Sequence, residues 1–303
     1  MIHDDGEPTE FSRSFVQAEA VLAEATNAYR RAFGERLLAA YALGSLAHGG
    51  YSPLVSDIDL GLVVADPLRR SDADTIQRVA EALKAGGSAL HERLSVFWGT
   101  PSTLAGQEVG GRFPPLDRLD LIQHGRHLYG EDARESLPQP SRTDLLVAGA
   151  EFALDFLAGA GPMHGHGGQD ACSFRPAADD AVVQIRRPEV LVAQGVRRVT
   201  KLVLFPVRFL YSAETGLVGT NHAAADHYLA INQAPGAALV AAALFWRDHP
   251  PDPTVATALL QREMIPLYLH YIDDHIARLT AADRRDLSEA FAQWRHRIVA
   301  GGG

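Results

Sequence analysis

At 303 residues the chain is long enough for two modest domains with substantial cores, and its 47% hydrophobic content is ordinary for a globular protein. A formal net charge of −9 argues against a protein that grips a nucleic-acid backbone, since that task calls for a basic surplus or stripe, and it suits a cationic small substrate instead. The single cysteine, Cys172, excludes an internal disulfide and a paired-cysteine zinc site, and no run of about eighteen apolar residues marks a membrane span.

The start, MIHDDGEPTEF, has no apolar core of signal type, so a cytoplasmic location is expected. Phe15, Val21, Leu22, Ala25 and Tyr29 then recur at helical spacing, with Arg30-Arg31 near the C-terminal end, and predict a helix before the first strand. Leu37 to Leu43 is an apolar run that ends at Gly44-Ser45, and Asp57 to Val64 has the Leu and Val content of a strand. Asp66-Pro67 breaks the chain. Ser71-Asp72 opens a run with Ile76, Val79, Ala80 and Leu83 at i, i+3, i+4 and i+7, with Ser71 or Asp72 as the expected N-cap and Gly86-Gly87 as the stop. Arg93 to Trp98 reads as the next strand and Leu116 to Ile122 as another, ahead of His124 to Gly130, which together give a mixed sheet with helices on one side.

From Thr143 the pattern changes to long helical runs, beginning with Leu145 to Leu157. Prolines in Leu137-Pro138-Gln139-Pro140 mark a linker, so domains are expected at 1–140 and 141–303. Gly159 to about Pro188, with Gly161-Pro162-Met163-His164-Gly165-His166-Gly167-Gly168, reads as a mobile loop whose flexibility argues against a metal site at its two histidines. Val190 to Ala213 reads as an apolar helix kinked or interrupted at Pro206. Helical runs from Ala223 to Leu229, Ala237 to Trp246, Thr254 to about Leu279 and Leu287 to Val299 follow, ahead of Gly301-Gly302-Gly303. The expected fold class is α+β, with an N-terminal sheet domain and a C-terminal all-α bundle.

Chemistry concentrates between Tyr41 and Val64. Asp57 and Asp59 lie two residues apart on a predicted strand, so period-two geometry puts both carboxylates on one face. Such a pair suits Mg²⁺, a hard cation that uses one or two carboxylates and takes its other ligands from phosphates and water. Gly44 and Ser45 stand where a strand ends: glycine lets backbone approach a phosphate closely, and the Ser45 hydroxyl can donate to a phosphate oxygen. Eleven residues separate Ser45 from Asp57, enough for a loop or short helix between neighbouring strands.

Gly44-Ser45 with Ser56-Asp57-Ile58-Asp59 resembles the signature of the polymerase-β-like nucleotidyltransferases. Arg208 to Gly216, Ala223 to Asp226 and, more weakly, Leu269 to Ile272 are similar to the helical domain of the streptomycin/spectinomycin adenylyltransferases. The resemblance implies a nucleotidyltransferase domain followed by a helical substrate- and nucleotide-binding domain. It implies transfer of AMP from ATP, with Mg²⁺, to a hydroxyl of an aminoglycoside-like small molecule; charge and hydropathy, as above, lead to the expectation of no nucleic-acid or membrane partner. By the same resemblance Gly44, Ser45 and Ser56 would bind nucleotide, and a third carboxylate would stand at the head of the strand after the Asp pair. Glu92 is the candidate; Ser95 takes the place if the alignment slips by two or three residues, and Asp120 on the following strand is a further contender.

The triphosphate needs positive groups, and Arg197, Arg198, Lys201 and Arg208 offer them. Arg208 matches a phosphate-binding arginine of the resembled family, and Lys201 lies seven residues earlier on roughly the same helix face. Two departures concern the acceptor: Arg198 stands where those relatives carry a drug-recognising acid, and Asn221 where a lysine follows the Thr-Gly turn. An arginine there repels a cationic drug unless acids such as Asp155, Asp179, Asp180 or Glu189 compensate. Another acceptor, a metabolite, protein side chain or RNA end, and a non-catalytic nucleotide-binding module are the competing readings. Retention of both Asp57 and Asp59 opposes the last, because paired acids repel each other without a cation.

Overall fold

The computed structural model describes residues 10–159 and 178–300; Cys172, His164, His166 and the two chain ends lie outside them. The chain divides into two compact units, Met1–Gln139 and Pro140–Gly303.

In the first unit, helix α1 (Glu10–Phe33) buries Ala18, Val21, Leu22, Ala25 and Tyr29 on one stripe, as their helical spacing requires. Strand β1 (Leu37–Leu43) leads into a single helical turn, α2 (Gly44–Ala47), and β2 (Ile58–Val64) returns antiparallel to β1. Helix α3 (Arg70–Gly86) is the crossover that lets β3 (Leu94–Gly99) lie parallel to β2. A short α4 (Pro101–Leu104) and α5 (Pro115–His124) precede β4 (Arg126–Gly130), which pairs antiparallel with β1 and completes the order β3-β2-β1-β4.

Alternation along the strands builds two cores. Ala40, Ala42, Leu60, Leu62, Val96 and Trp98 pack with α1 and α3, through Leu22, Tyr29, Ile76 and Leu83 among others. Ala39, Tyr41, Leu43 and Val63 face the other way, toward Leu104 of α4 and Leu121 of α5, with Phe97 and Phe113 beside them. Fully burying a side chain such as Leu22 contributes about 1.5–3 kcal/mol.

Three local expectations are corrected. Leu116 to Ile122 is helical, within α5, because Pro115 opens a first turn and a short apolar run does not by itself distinguish a buried helix from a strand. The remaining strand is the polar edge segment β4, whose half-exposed pattern carries no apolar signature. Asp72 is the third residue of α3 rather than its N-cap: it accepts a bond from the Arg69 amide at 2.8 Å and pairs with Arg36 at 2.5 Å. Burial raises the Asp72 carboxyl, but Arg36 and the Arg69 amide outweigh it, so its pKa lies below the ordinary value.

The second unit is helical throughout its described residues: α6 (Arg142–Phe156), α7 (Ala178–Arg186), α8 (Pro188–Ala193), α9 (Val196–Thr215), α10 (Asn221–Leu229), α11 (Ala237–Phe245), α12 (Pro253–Ala281) and α13 (Arg285–Ala300). Tyr268, Tyr271, Phe291 and Trp294 of α12 and α13 form its fully buried aromatic centre. The loop expected up to Pro188 contains α7, and the run expected as one helix from Val190 is two. The break falls at Gly195, whose φ of +92° glycine tolerates, while α9 continues through Pro206.

Proline at 206 removes the amide that would bond the Leu202 carbonyl. The buried Tyr268 hydroxyl donates to that carbonyl instead, at 2.9 Å, and so repairs the helix from α12. Tyr268→Phe leaves the carbonyl buried without a partner and is expected to cost about 1–3 kcal/mol, read as a lower denaturation midpoint. An unchanged midpoint would show that the carbonyl is satisfied another way.

Candidate active site

β1 ends at Leu43, which pairs with Asp59 across the antiparallel register. The next residue, Gly44, turns the chain with φ +59°, a left-handed conformation that side chains rarely adopt. A Cβ on Gly44 would collide with the Asp59 carboxylate, so the acid lies directly against the glycine backbone. The structure thus brings together the two motifs that the sequence separates by the loop from Leu46 to Ser56. Ser45 is the second residue of α2 and is half-buried. Asp57 immediately precedes β2; Asp59 is its second residue, and both side chains are half-buried. Ser56 is buried, and its hydroxyl accepts a bond from the Ser52 amide at 2.9 Å, which closes the loop leading to Asp57.

The contenders for the third acid separate in space. The parallel register places Ser95 of β3 beside Asp59. Glu92 stands three residues earlier, exposed on the 3₁₀ turn His91–Arg93. Asp120 comes from helix α5, not from a strand, and its Oδ2 accepts a bond from the Gly44 amide at 2.6 Å. Asp120 is 9% exposed, and its Oδ1 is buried with no hydrogen-bond partner among the described residues. Two carboxylates, Asp59 and Asp120, therefore meet at one glycine, although they lie on different elements and far apart in sequence.

Paired carboxylates are the donor chemistry that a hard divalent cation takes. Asp57 and Asp59 supply hard oxygen donors two residues apart, and among the described residues no group of three or more His, Cys, Asp or Glu could hold a metal unaided. Arg112, which no sequence pattern singles out, projects onto the same face of β3 at Ser95. The glycines before it, Gly110 and Gly111, were the only local signal for it.

Lys201 and Arg208 belong to α9 in the second unit, and both are half-buried there. Arg208 Nε donates to the Gly219 carbonyl and its guanidinium lies 5.5 Å from the Phe205 ring centroid. Arg198 is 5% exposed: Nε and Nη2 donate to Gln184 Oε1 at 3.1 and 2.8 Å, and the guanidinium stacks over Phe156 at 4.9 Å. Burial lowers its pKa. Nη1 is buried with no hydrogen-bond partner among the described residues. Asn221 is the first residue of α10, following the N-cap Thr220. Glu189 is exposed and pairs with Arg187 at 3.0 Å, Asp155 lies on α6, and the side chains of Asp179 and Asp180 are outside the described set.

No protein-family model matches the sequence, and no curated protein matches it. Among solved structures the chain is similar to the spectinomycin adenyltransferase AAD(9) from Enterococcus faecialis, crystallised with ATP and spectinomycin. The match has a TM-score of 0.50 and 12% identity and covers 81% of this chain and 98% of that one. At that identity it bears on the fold alone: a four-stranded mixed sheet with a helical C-terminal region. Among the described residues no helix is long and apolar enough to cross a membrane.

Proposed function

We propose that the chain transfers AMP from ATP to a hydroxyl of an aminoglycoside-like small molecule and releases pyrophosphate. The observation that carries this reading is the meeting of the Gly44 turn with the Asp59 carboxylate, an arrangement that would suit a phosphate approached by backbone and a cation held by paired acids. The similar structure adds support, because that protein was solved with ATP and spectinomycin. In such a transfer the acceptor hydroxyl attacks the α-phosphorus in line while pyrophosphate leaves on the opposite side. Mg²⁺ held by Asp57 and Asp59 would supply charge neutralisation for the phosphate oxygens. Gly44 and Ser45 approach the phosphates, Ser56 holds the loop that aims Asp57, and Lys201 and Arg208 are proposed nucleotide contacts.

The third carboxylate is best assigned to Asp120, which is buried, bonded to the Gly44 amide and has an oxygen to spare, rather than to exposed Glu92. Asp120→Ala is expected to lower turnover by roughly 10²-fold or more, in the range of a lost acid-base group. Asp120→Asn keeps an acceptor for the Gly44 amide, so it separates the two roles: persistent loss means the charge matters, recovery means only the turn does. Glu92→Gln is expected to retain turnover, and its loss would return the role to Glu92.

Burial of Arg198 removes one objection to a cationic acceptor, since a guanidinium bonded to Gln184 and stacked on Phe156 does not present its charge to a ligand. Pyrophosphate release with ATP and Mg²⁺ across an aminoglycoside panel, with mass spectrometry of each acceptor, tests the whole reading. An AMP adduct establishes reaction and acceptor class. ATP binding without any adduct moves the acceptor to a different class, and absence of ATP binding favours a non-catalytic module.

A further inference from the structure

The position beside Asp59 on the neighbouring strand is held by Ser95, which carries no charge, and an arginine reaches it from outside the sheet. Arg112 arrives through a two-way backbone bridge: the Trp98 amide donates to its carbonyl at 2.9 Å, and its own amide donates to the Trp98 carbonyl at 2.7 Å. The approach depends on Gly111, whose φ is +72° and whose Cβ would stand 2.5 Å from the Trp98 carbonyl oxygen. The side chain then runs along β3. Its guanidinium lies 4.8 Å over the Phe97 ring, and Nη1 donates to the Val96 carbonyl at 2.8 Å and lies 3.5 Å from Ser95 Oγ.

The face is the one that bears Asp59. Asp59 pairs in parallel register with Ser95, and Gly61 with Phe97, so their side-chain directions coincide. Phe113, next to Arg112, packs over Gly61 on that same side: a Cβ there would meet its ring at 3.2 Å. A cation is thus fixed by stacking and a carbonyl bond on the carboxylate-bearing face of the sheet. A polyanionic ligand at Asp57, Asp59 and Asp120 meets repulsion from three acids. A guanidinium on this face offsets that repulsion, and its planar fork matches phosphate oxygens.

We propose that Arg112 contacts the phosphates of a nucleoside triphosphate bound at the Gly44 and Asp59 site. The assignment rests on the nucleotidyl-transfer reading and adds to it a phosphate-binding group from the sheet unit itself.

The test is calorimetric binding of ATP and of AMP, each with Mg²⁺, to the full-length wild type, Arg112→Gln and Arg112→Lys. Arg112→Gln is expected to weaken ATP tenfold or more and AMP less than threefold, with Arg112→Lys between wild type and Gln for ATP. Thermal melts accompany each variant; if Gln lowers the melting temperature, the Lys variant, which keeps the charge, carries the comparison. ATP bound equally well by wild type and Gln variant overturns the assignment while leaving the nucleotidyl-transfer reading intact. Equal weakening of ATP and AMP shows a structural role and overturns it too. A wild type that binds neither ligand contradicts the nucleotidyl-transfer reading and the assignment together.

Discussion

Asp57→Asn and Asp59→Asn are each expected to reduce turnover by roughly 10³-fold or more, about 4 kcal/mol of transition-state stabilisation, while leaving the fold intact. The two carboxylates stand two residues apart at the head of β2 and are half-buried. Asparagine keeps the size of aspartate, so without ligand the variants are expected to remain folded. With Mg²⁺ and ATP present the wild type is expected to gain stability from a bound ligand and the variants to gain less. Thermal melts with and without Mg²⁺ and ATP, run beside steady-state turnover, read both effects. A variant that turned over at the wild-type rate would remove the proposed cation role.

Gly44→Ala is expected to lower activity strongly for a different reason. Alanine at φ +59° adopts a strained left-handed conformation, at a cost of roughly 1–2 kcal/mol. Its methyl group also takes the place of the Asp59 carboxylate, so the acid must move. A shift of about 1 Å in a catalytic group costs on the order of 10²-fold in rate. The Asp120 bond to the Gly44 amide is broken or bent by the same displacement. The expected result is a folded protein with a modestly lower melting temperature and turnover down by roughly 10²-fold or more. Full activity in Gly44→Ala would show that neither the turn nor the Asp59 position is needed.

The parts of the site that depend on short-range pattern were legible in the sequence. The Asp57 and Asp59 spacing sits where the apolar run of β2 begins, and Gly44 sits where that of β1 ends; antiparallel pairing of two neighbouring strands then suffices to bring them together. The parts that depend on long-range register were not. Nothing local states that Ser95 rather than Glu92 lies opposite Asp59, because a parallel pair is joined by α3 and its register is fixed by core packing, not by a turn. Asp120 was legible as a candidate acid but not as a helical one, since Leu116, Leu119, Leu121 and Ile122 fit either period over so short a span. Arg112 had no signature because its position follows from Gly111 and from a backbone bridge to Trp98. In the second unit, Pro206 read as a break, yet the compensating hydroxyl of Tyr268 comes from 62 positions further along the chain and cannot be inferred from α9 alone.

Transfer of the α-phosphoryl group with its nucleoside is the central claim, and the position of a radiolabel tests it most directly. The protein is incubated with Mg²⁺, an aminoglycoside panel and ATP labelled at either the α- or the γ-phosphorus, with Asp57→Asn as control. Nucleotidyl transfer moves the α-label onto an acceptor and releases the γ-label as pyrophosphate, with neither event in the variant. A γ-label on the acceptor, or label release that persists in Asp57→Asn, contradicts it.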